Sequence, residues 1–242
     1  NLSGILTDGQ IVVDSNDDGL VTLILDGVNL SSSSSAPINI KNADEAAILL
    51  ADATENFISD ASDYIYENAD DDEPNAAVFS DDDLTIYGTG SLTVTGNYND
   101  GIASKDTLTI IDSTISVTSV DDGIRGKDYL HIDGAAITLD VQGDGLKSDN
   151  DEDETFGYIM IKNGIFNISA NGDAIQAETN LTVEDGTFRI LTADGSNTDL
   201  DESLSAKGLK AGVGIIINGG TFNLNTADDA VHTNDSILIN SL

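Results

Sequence analysis

The sequence predicts an all-β protein, a single-stranded right-handed parallel β-helix (solenoid) with 22-residue coils. Three observations carry this prediction: a repeated motif, short stretches of alternating apolar residues, and turn dipeptides that separate the stretches. The repeats leave no room for a helix. We expect one β-helix domain over residues 1–242, with an N-terminal cap and irregular coils at 1–70 and regular coils at 71–242.

The repeated motif occurs in six copies, of which "DDGIRGKDYLHIDGAAITL" is one. In each copy we call the residue directly before a small residue (Gly or Ala) the anchor. The anchors are Asp100, Asp122, Asp144, Asp173, Lys207 and Asp229. Successive anchors are 22, 22, 29, 34 and 22 residues apart, so two copies carry insertions of 7 and 12 residues. A looser copy begins at Ala76.

Each copy contains two short alternating stretches that are separated by a turn pair such as Asp133-Gly134. Equivalent residues of successive coils should stack about 4.8 Å apart. Two columns are apolar throughout and predict the core: Leu108, Leu130, Ile159, Leu181 and Ile215, and Ile115, Ile137, Phe166, Phe188 and Phe222. Leucine-rich repeats and the calcium-binding nonapeptide roll are the alternatives, but the buried Asn of the first and the nine-residue period of the second are missing.

The charge of the chain limits its partners. It has 44 acidic and 9 basic residues, which give a net charge of −35. Nucleic acid and anionic membrane surfaces are therefore excluded as simple electrostatic partners, and cations, or anions held through cations, are favoured. No apolar run reaches the roughly 20 residues of a membrane span, so we expect no membrane insertion. The start at Asn1 without Met predicts that a leader has been removed and that the protein is secreted, possibly onto the cell surface.

The acidic anchors predict a calcium site. Stacked carboxylates repel one another unless a cation lies between them, and Ca²⁺ accepts six to eight oxygen ligands. The two insertions, "DNDEDET" and "DGSNTDLDESLS", add further acids and should overhang the same edge of the solenoid. The predicted ligands are Asp100, Asp121, Asp122, Asp144, Asp149, Asp151, Asp153, Asp173, Asp199 and Asp201. The alternative is that these acids favour turns and face water.

A weaker metal candidate is "DSNDDG" at residues 14–19. It begins like an EF-hand loop, but Leu25 stands where the bidentate Glu belongs, so a polar turn is the favoured interpretation.

Six of the nine basic residues lie near the anchors. One column, which should point outward, contains Arg125, Lys147 and Lys210, and Lys127 and Lys207 lie close to it. We predict that these five residues bind a long anion such as polygalacturonate, while calcium bridges its carboxylates to the protein. The alternative is that they offset the neighbouring Asp residues in surface ion pairs. Tyr129 is the Tyr expected near this strip.

The stacked "DGI-x-[SG]-K-D" and "DGL-K-S-D" motifs, the "NGGTFNL" turns and the acidic insertion after Lys147 resemble a bacterial carbohydrate-binding parallel β-helix domain family, formerly a domain of unknown function. The resemblance covers roughly residues 70–242. It implies a pectate-lyase-like fold in secreted proteins of plant-biomass degraders, with calcium and binding of pectic or cellulosic polysaccharide. It also implies calcium ligands at Asp122, Asp144, Asp149, Asp151 and Asp173, whereas Lys207 departs from the acidic pattern.

The predicted function is therefore calcium-dependent binding of an extracellular polysaccharide, favouring an acidic polymer and extending to cellulose. A pectate lyase is the first alternative, with Lys147 or Arg125 as the base that removes a proton next to a uronate carboxylate. The surrounding Asp residues should raise the pKa of such a base, which favours binding over catalysis. A calcium-stiffened cell-surface spacer or adhesin segment is the second alternative.

Overall fold

The chain winds into a solenoid of parallel strands. The computed structural model describes residues 1–68, 70–201 and 203–240, and among these residues the regular structure is all strand, in two sheets. The predicted all-β parallel solenoid is thereby confirmed. Within the described part of the chain, no helix has the length and apolar character needed to cross a membrane.

A full coil crosses three faces, which we number in chain order as the first, second and third face. The first face is a nine-stranded sheet with one strand from each coil. Its strands are β2 (Ile11–Asp14), β4 (Ile38–Asn42), β7 (Ala76–Ser80), β10 (Asp100–Ser104), β13 (Ile124–Gly126), β15 (Leu146–Ser148), β17 (Ile175–Ala177), β20 (Leu209–Ala211) and β23 (Val231–Thr233).

The second and third faces belong to one fifteen-stranded sheet, because three long strands run through both of them. These are β3 (Leu20–Ser31), β14 (Tyr129–Val141) and β16 (Tyr158–Ala170). The second face also holds β5 (Glu45–Leu50), β8 (Leu84–Tyr87), β11 (Thr107–Ile111), β18 (Asn180–Val183), β21 (Gly214–Ile217) and β24 (Ser236–Ile239). The third holds β1 (Leu2–Leu6), β6 (Glu55–Ser59), β9 (Ser91–Gly96), β12 (Thr114–Ser119), β19 (Thr187–Thr192) and β22 (Thr221–Asn225).

The predicted columns are confirmed by the strand register. Leu108, Leu130, Ile159, Leu181 and Ile215 pair in sequence on the second face. Ile115, Ile137, Phe166, Phe188 and Phe222 pair in sequence on the third. The three Phe rings stack with centroids 4.7 and 4.6 Å apart, and the rings of Phe166 and Phe188 are fully buried. These side chains therefore fill the core, as alternation along the strands requires.

The segment predicted to be an irregular cap contributes strands to the same sheets. The strands of residues 2–59 pair in parallel, and β4 and β5 continue directly into β7 and β8. Residues 60–68 and 70–75 then leave the coil path before β7, with Tyr64 stacked on Tyr98 at a centroid distance of 4.2 Å. Coils of the same kind therefore begin before residue 70, with a longer excursion between two of them.

Candidate functional site

The acidic anchors lie at the corner between the third and first faces, where each one connects two coils. One carboxylate oxygen accepts a hydrogen bond from the backbone N–H of the next anchor along the chain. The N–H donor and Oδ1 acceptor are 3.2 Å apart for Asp122 and Asp100, and 2.7 Å apart for Asp144 and Asp122. They are also 2.7 Å apart for Asp173 and Asp144, and for Lys207 and Asp173. Each Asp therefore satisfies a backbone donor that the strand ladder leaves free.

The second oxygen of each anchor is paired with a basic side chain of the predicted outward column. That column is confirmed, because Arg125, Lys147, Gln176, Lys210 and His232 are register partners on the first face. The ion pairs are Arg125 Nε to Asp100 Oδ2 at 3.1 Å, Lys147 Nζ to Asp122 Oδ2 at 2.9 Å and to Asp144 Oδ2 at 3.0 Å, and Lys210 Nζ to Asp173 Oδ2 at 2.7 Å. We call this set of acidic and basic residues the ion-pair ladder.

The glycine that follows three of the aspartate anchors is explained by the closeness of the coils. A Cβ on Gly101 would lie 2.8 Å from the carbonyl oxygen of Gly123, and one on Gly123 would lie 2.7 Å from that of Gly145. A Cβ on Gly145 would lie only 2.4 Å from the carbonyl oxygen of Ala174. The Asp-Gly motif therefore combines a carboxylate that connects coils with a residue small enough for the coils to meet.

Burial and charge shift the pKa values in the ladder. Burial raises the pKa of Asp100 to about 7, and the nearby Asp122 adds to this, although Arg125 opposes it. Burial opposes the charged form of Lys147, but the carboxylates of Asp122 and Asp144 outweigh it and raise the pKa of Lys147 above its ordinary value. The pKa of Arg125 is raised in the same way. The basic side chains therefore stay charged, and the ion pairing considered as an alternative is present.

The remaining basic residues of the predicted strip lie at different edges of the first face. Lys127 follows β13 at the edge toward the second face and has no ion pair among the described residues. Lys207 lies at the opposite edge and pairs with Asp228. The structure therefore brings Arg125, Lys147 and Lys210 together and leaves these two residues on either side of them.

The two acidic insertions flank the first face instead of overhanging one edge, which corrects the sequence prediction. Residues 149–157 follow β15 and lie toward the second face, whereas the described residues of the second insertion, 193–201 and 203–206, precede β20 and lie toward the third. A first-face strand separates the two corners, so insertions before and after it must emerge on opposite sides. Both reach the ladder: Asp149 Oδ2 lies 3.6 Å from Arg125 Nη1, and Ser205 Oγ donates to Asp173 Oδ1 at 2.7 Å.

The acids of the insertions are arranged for loop structure and for contact with solvent. Asp153 and Asp201 accept hydrogen bonds from the backbone and hydroxyl groups of Thr155 and Ser203, which lower the pKa values of both carboxyls. Asp151 and Asp199 are exposed, and so is Asp121, which directly precedes the anchor Asp122. Asp149 differs, because its Oδ1 atom is buried without a hydrogen-bond partner in the described part of the chain.

The predicted calcium ligands have the oxygen chemistry that the ion requires, but they do not form one cluster. Over residues 1–68, 70–201 and 203–240, no three His, Cys, Asp or Glu side chains converge in a way that could hold a metal ion. The anchors Asp100, Asp122, Asp144 and Asp173 already receive N–H and ammonium or guanidinium donors. The exposed carboxylates of the insertions therefore fit calcium better than the anchors do.

The sequence analysis missed an open trough on the third face. Its volume is about 560 Å³, and it crosses the second halves of β14 and β16 together with β19 and β22. The outward side chains that line it are Thr138, Asp140, Asn167, Ser169, Arg189, Leu191, Asn223 and Asn225. The available signal was that most of these outward residues carry hydroxyl, amide or charged groups, but a solvated strand face gives the same pattern.

Tyr129, expected near the basic strip, lies on the second face. It stacks on Tyr158 with ring centroids 4.1 Å apart, and burial together with that ring raises the pKa of Tyr129 to about 12. The two rings stack face to face, so the ring faces that meet are not available to a ligand.

The chain is similar to proteins described by their binding domain and fold. A family model with the description "Carbohydrate-binding domain-containing protein" matches residues 1–241. A protein of Acetivibrio thermocellus with the same description is 46% identical over 188 residues, which are 78% of this chain and 66% of that protein. The match thus spans just under two thirds of the relative's length. The gadolinium-derivative structure of a polysaccharide lyase-like protein from C. thermocellum is 31% identical, with a TM-score of 0.73, and the match covers 98% of this chain and 85% of that one.

Proposed function

The chain belongs to the family of carbohydrate-binding domain-containing proteins, and we propose that it is an extracellular module that binds acidic polysaccharide, such as polygalacturonate, with the help of calcium. A polysaccharide-binding role is supported by the family and by the polysaccharide lyase-like fold. The acidic polymer, the calcium and the extracellular location are the parts that we propose.

The observation that carries the proposal is a charged face bordered on both sides by acidic loops. The floor is the ion-pair ladder, in which the side chains of Arg125, Lys147 and Lys210 remain 15%, 22% and 33% exposed. The insertions at 149–157 and 193–206 lie at its two edges. A polymer with a carboxylate on each sugar can contact the basic groups of the floor while its other carboxylates face the loops.

Calcium is part of the proposal because the protein and the polymer are both negative. A chain with a net charge of −35 repels a polyanion unless cations lie between them. The exposed carboxylates of Asp121, Asp151 and Asp199 can share Ca²⁺ with uronate groups, since this ion accepts several carboxylates in flexible geometry. Calcium would thus link the loops to the ligand.

Binding is favoured over cleavage by the state of the basic residues. A lyase base must be neutral when it removes a proton, but the pKa values of Lys147 and Arg125 are raised. Both side chains are also held by carboxylates on the protein. We therefore propose no catalytic role for either residue.

Calorimetry with oligogalacturonides, in excess calcium and in EDTA, tests the proposal. We expect binding only with calcium, and about a tenfold loss of affinity, or 1.4 kcal/mol, for Lys147→Ala/Lys210→Ala. Lys127→Ala should also weaken binding, and it breaks no ion pair among the described residues.

Lys162→Ala is the matched control, because Lys162 is exposed on the second face and pairs only with Asp133 within the described structure. Melting curves establish that each variant is folded. A folded Lys147→Ala/Lys210→Ala protein with full affinity would overturn the assignment to the first face. Absorbance from an unsaturated product, recorded in parallel, would instead establish a lyase.

A further inference from the structure

We infer that the trough on the third face is a second carbohydrate-binding surface, one that holds an uncharged, hydroxyl-rich glycan chain without calcium. This surface is separate from the one proposed above for acidic polymer, and its existence does not depend on that proposal. The inference rests on three properties of the trough: the layout of its side chains, their unused hydrogen-bonding capacity, and their balanced charge.

The trough has two rows of side chains that run along the solenoid axis. Strand register places Thr138, Asn167, Arg189 and Asn223 in one row, and Asp140, Ser169, Leu191 and Asn225 in the other. Successive members are about 4.8 Å apart because they lie on neighbouring strands. A sugar ring is of similar length, so an extended glycan along the axis can present one ring to each coil.

The polar groups in the trough are available to a ligand. Arg189, Asn167 and Asn223 are exposed, and none of the three side chains makes a hydrogen bond or an ion pair to another described residue. Asn225 is held at one edge, where its Oδ1 accepts a hydrogen bond from the backbone N–H of Ser196 at 3.0 Å. The insertion at 193–206 thus borders the trough, and rigid strands hold the other groups in place.

The chemistry of these groups matches hydroxyls. Each sugar hydroxyl is both a donor and an acceptor, and the trough alternates between amides, which do both, hydroxyls, an acceptor carboxylate and a donor guanidinium. An Arg fork or an Asn amide can engage two neighbouring hydroxyls at once, which fixes the orientation of a ring. An open, polar-lined groove of this kind is suited to a chain polymer more than to a small apolar ligand.

The charge of the trough distinguishes it from the first face. Asp140 and Arg189 are its charged side chains among the lining residues, and they are of opposite sign. The trough is therefore nearly neutral on a strongly acidic protein. A neutral glycan can bind there without a bridging cation, so EDTA should leave this binding intact.

Calorimetry and affinity electrophoresis with soluble neutral glycans, mixed-linkage β-glucan and galactan, in the presence of EDTA test the inference. We expect binding of at least one glycan, and a loss of about tenfold or more for Arg189→Ala and for Asn167→Ala/Asn223→Ala. All three side chains are exposed, so the variants should fold normally. Lys162→Ala, which removes an exposed cation from the second face, should bind like the parent protein.

The two surfaces are distinguished by crossing the variants with the ligands. Lys147→Ala/Lys210→Ala should keep its affinity for neutral glycan, and Arg189→Ala should keep its affinity for oligogalacturonide in calcium. The inference is overturned if neither glycan binds in EDTA, if Arg189→Ala and Asn167→Ala/Asn223→Ala bind like the parent, or if Lys162→Ala loses as much affinity as they do. Failure of oligogalacturonide binding alone overturns the acidic-polymer proposal and leaves this one standing.

Discussion

At the scale of single residues, the anchor aspartate has two roles that depend on its two oxygens. One oxygen of Asp122 accepts the backbone N–H of Asp144, and the other pairs with Lys147. A buried carboxylate that lacked either partner would be costly, because its desolvation would not be offset. This explains why basic residues, which are rare in this chain, are concentrated beside the anchors.

The raised pKa of Asp100 predicts that stability falls as the pH rises. The ordinary pKa of an Asp in an unfolded chain is about 3.9, whereas burial raises that of Asp100 to about 7 in the folded protein. Between these values the folded state keeps a proton that the unfolded state has released. The contribution of Asp100 to the free energy of unfolding therefore decreases from about pH 4 to about pH 7.

Melting temperatures measured between pH 4 and pH 8 test this prediction. Asp100→Asn removes the titrating group and should flatten the decrease, although it also weakens the pairing of Arg125. Asp140→Asn, an exposed carboxyl on the third face, is the control and should leave the slope unchanged. Equal slopes for the parent and Asp100→Asn would refute the role given to Asp100.

At the scale of elements, the position of an insertion within its coil decides which edge it borders. Residues 149–157 leave the solenoid after a first-face strand, and residues 193–201 and 203–206 leave it before one. The two loops therefore lie at the two opposite edges of the first face. The second loop also borders the trough of the third face, through the contact of Ser196 with Asn225.

The exposed acids of the first insertion predict a stabilising effect of calcium. We expect excess CaCl₂ to raise the melting temperature of the parent protein, because an ion that binds the folded state alone stabilises it. Asp151→Asn/Asp153→Asn should lose most of this increase. A rise of about 1 kcal/mol would correspond to roughly 2–4 °C for a domain of this size.

The control for the calcium experiment is Asp17→Asn/Asp18→Asn, in the segment at 14–19 that we predict to be a polar turn. These residues are exposed and lie far along the chain from the insertions. Terbium luminescence, sensitised by tyrosine, gives an independent readout of ion binding. The same calcium response in all three proteins would exclude the first insertion as the site.

The sequence alone predicts which residues stack in each column, but it does not predict which side chains these residues pair with. Alternation along a strand assigns Leu130 inward and Arg125 outward without knowledge of the fold. The pairing of Arg125 with Asp100 depends on a carboxylate in the neighbouring coil and on the side-chain path between them, which spacing does not specify. The trough was missed because Asn167 and Arg189 have the polarity of any solvated strand face.

At the scale of the whole molecule, a strongly acidic surface surrounds a core that is built from stacked columns of apolar side chains. Burial of the Ile, Leu and Phe columns favours folding, while 44 acidic residues repel one another. The ion-pair ladder relieves this repulsion at one corner only. The stability of the protein should therefore depend on the ionic strength of its surroundings.

We predict that NaCl raises the melting temperature, most steeply at low concentration. The Debye length shortens from about 30 Å at 0.01 M to about 10 Å at 0.1 M salt, which screens repulsion across the width of the solenoid. A neutral osmolyte at equal osmolality is the control. A melting temperature that fell with NaCl would mean that the ion pairs of the ladder outweigh the general repulsion.

The Asp-to-backbone contacts of the anchors also bear on how the molecule responds to a pulling force. A tension along the solenoid passes through each junction between coils in series, so the weakest junction limits the load that the rod can carry. At the junction after Lys207 the anchor has no carboxylate, and the N–H of Asp229 is bonded by its own neighbour Asp228. Among the junctions that follow the anchors Asp100, Asp122, Asp144, Asp173 and Lys207, we therefore expect tension to open the one after Lys207 first, because it has the ion pair of Lys207 with Asp228 in place of a carboxylate-to-backbone hydrogen bond.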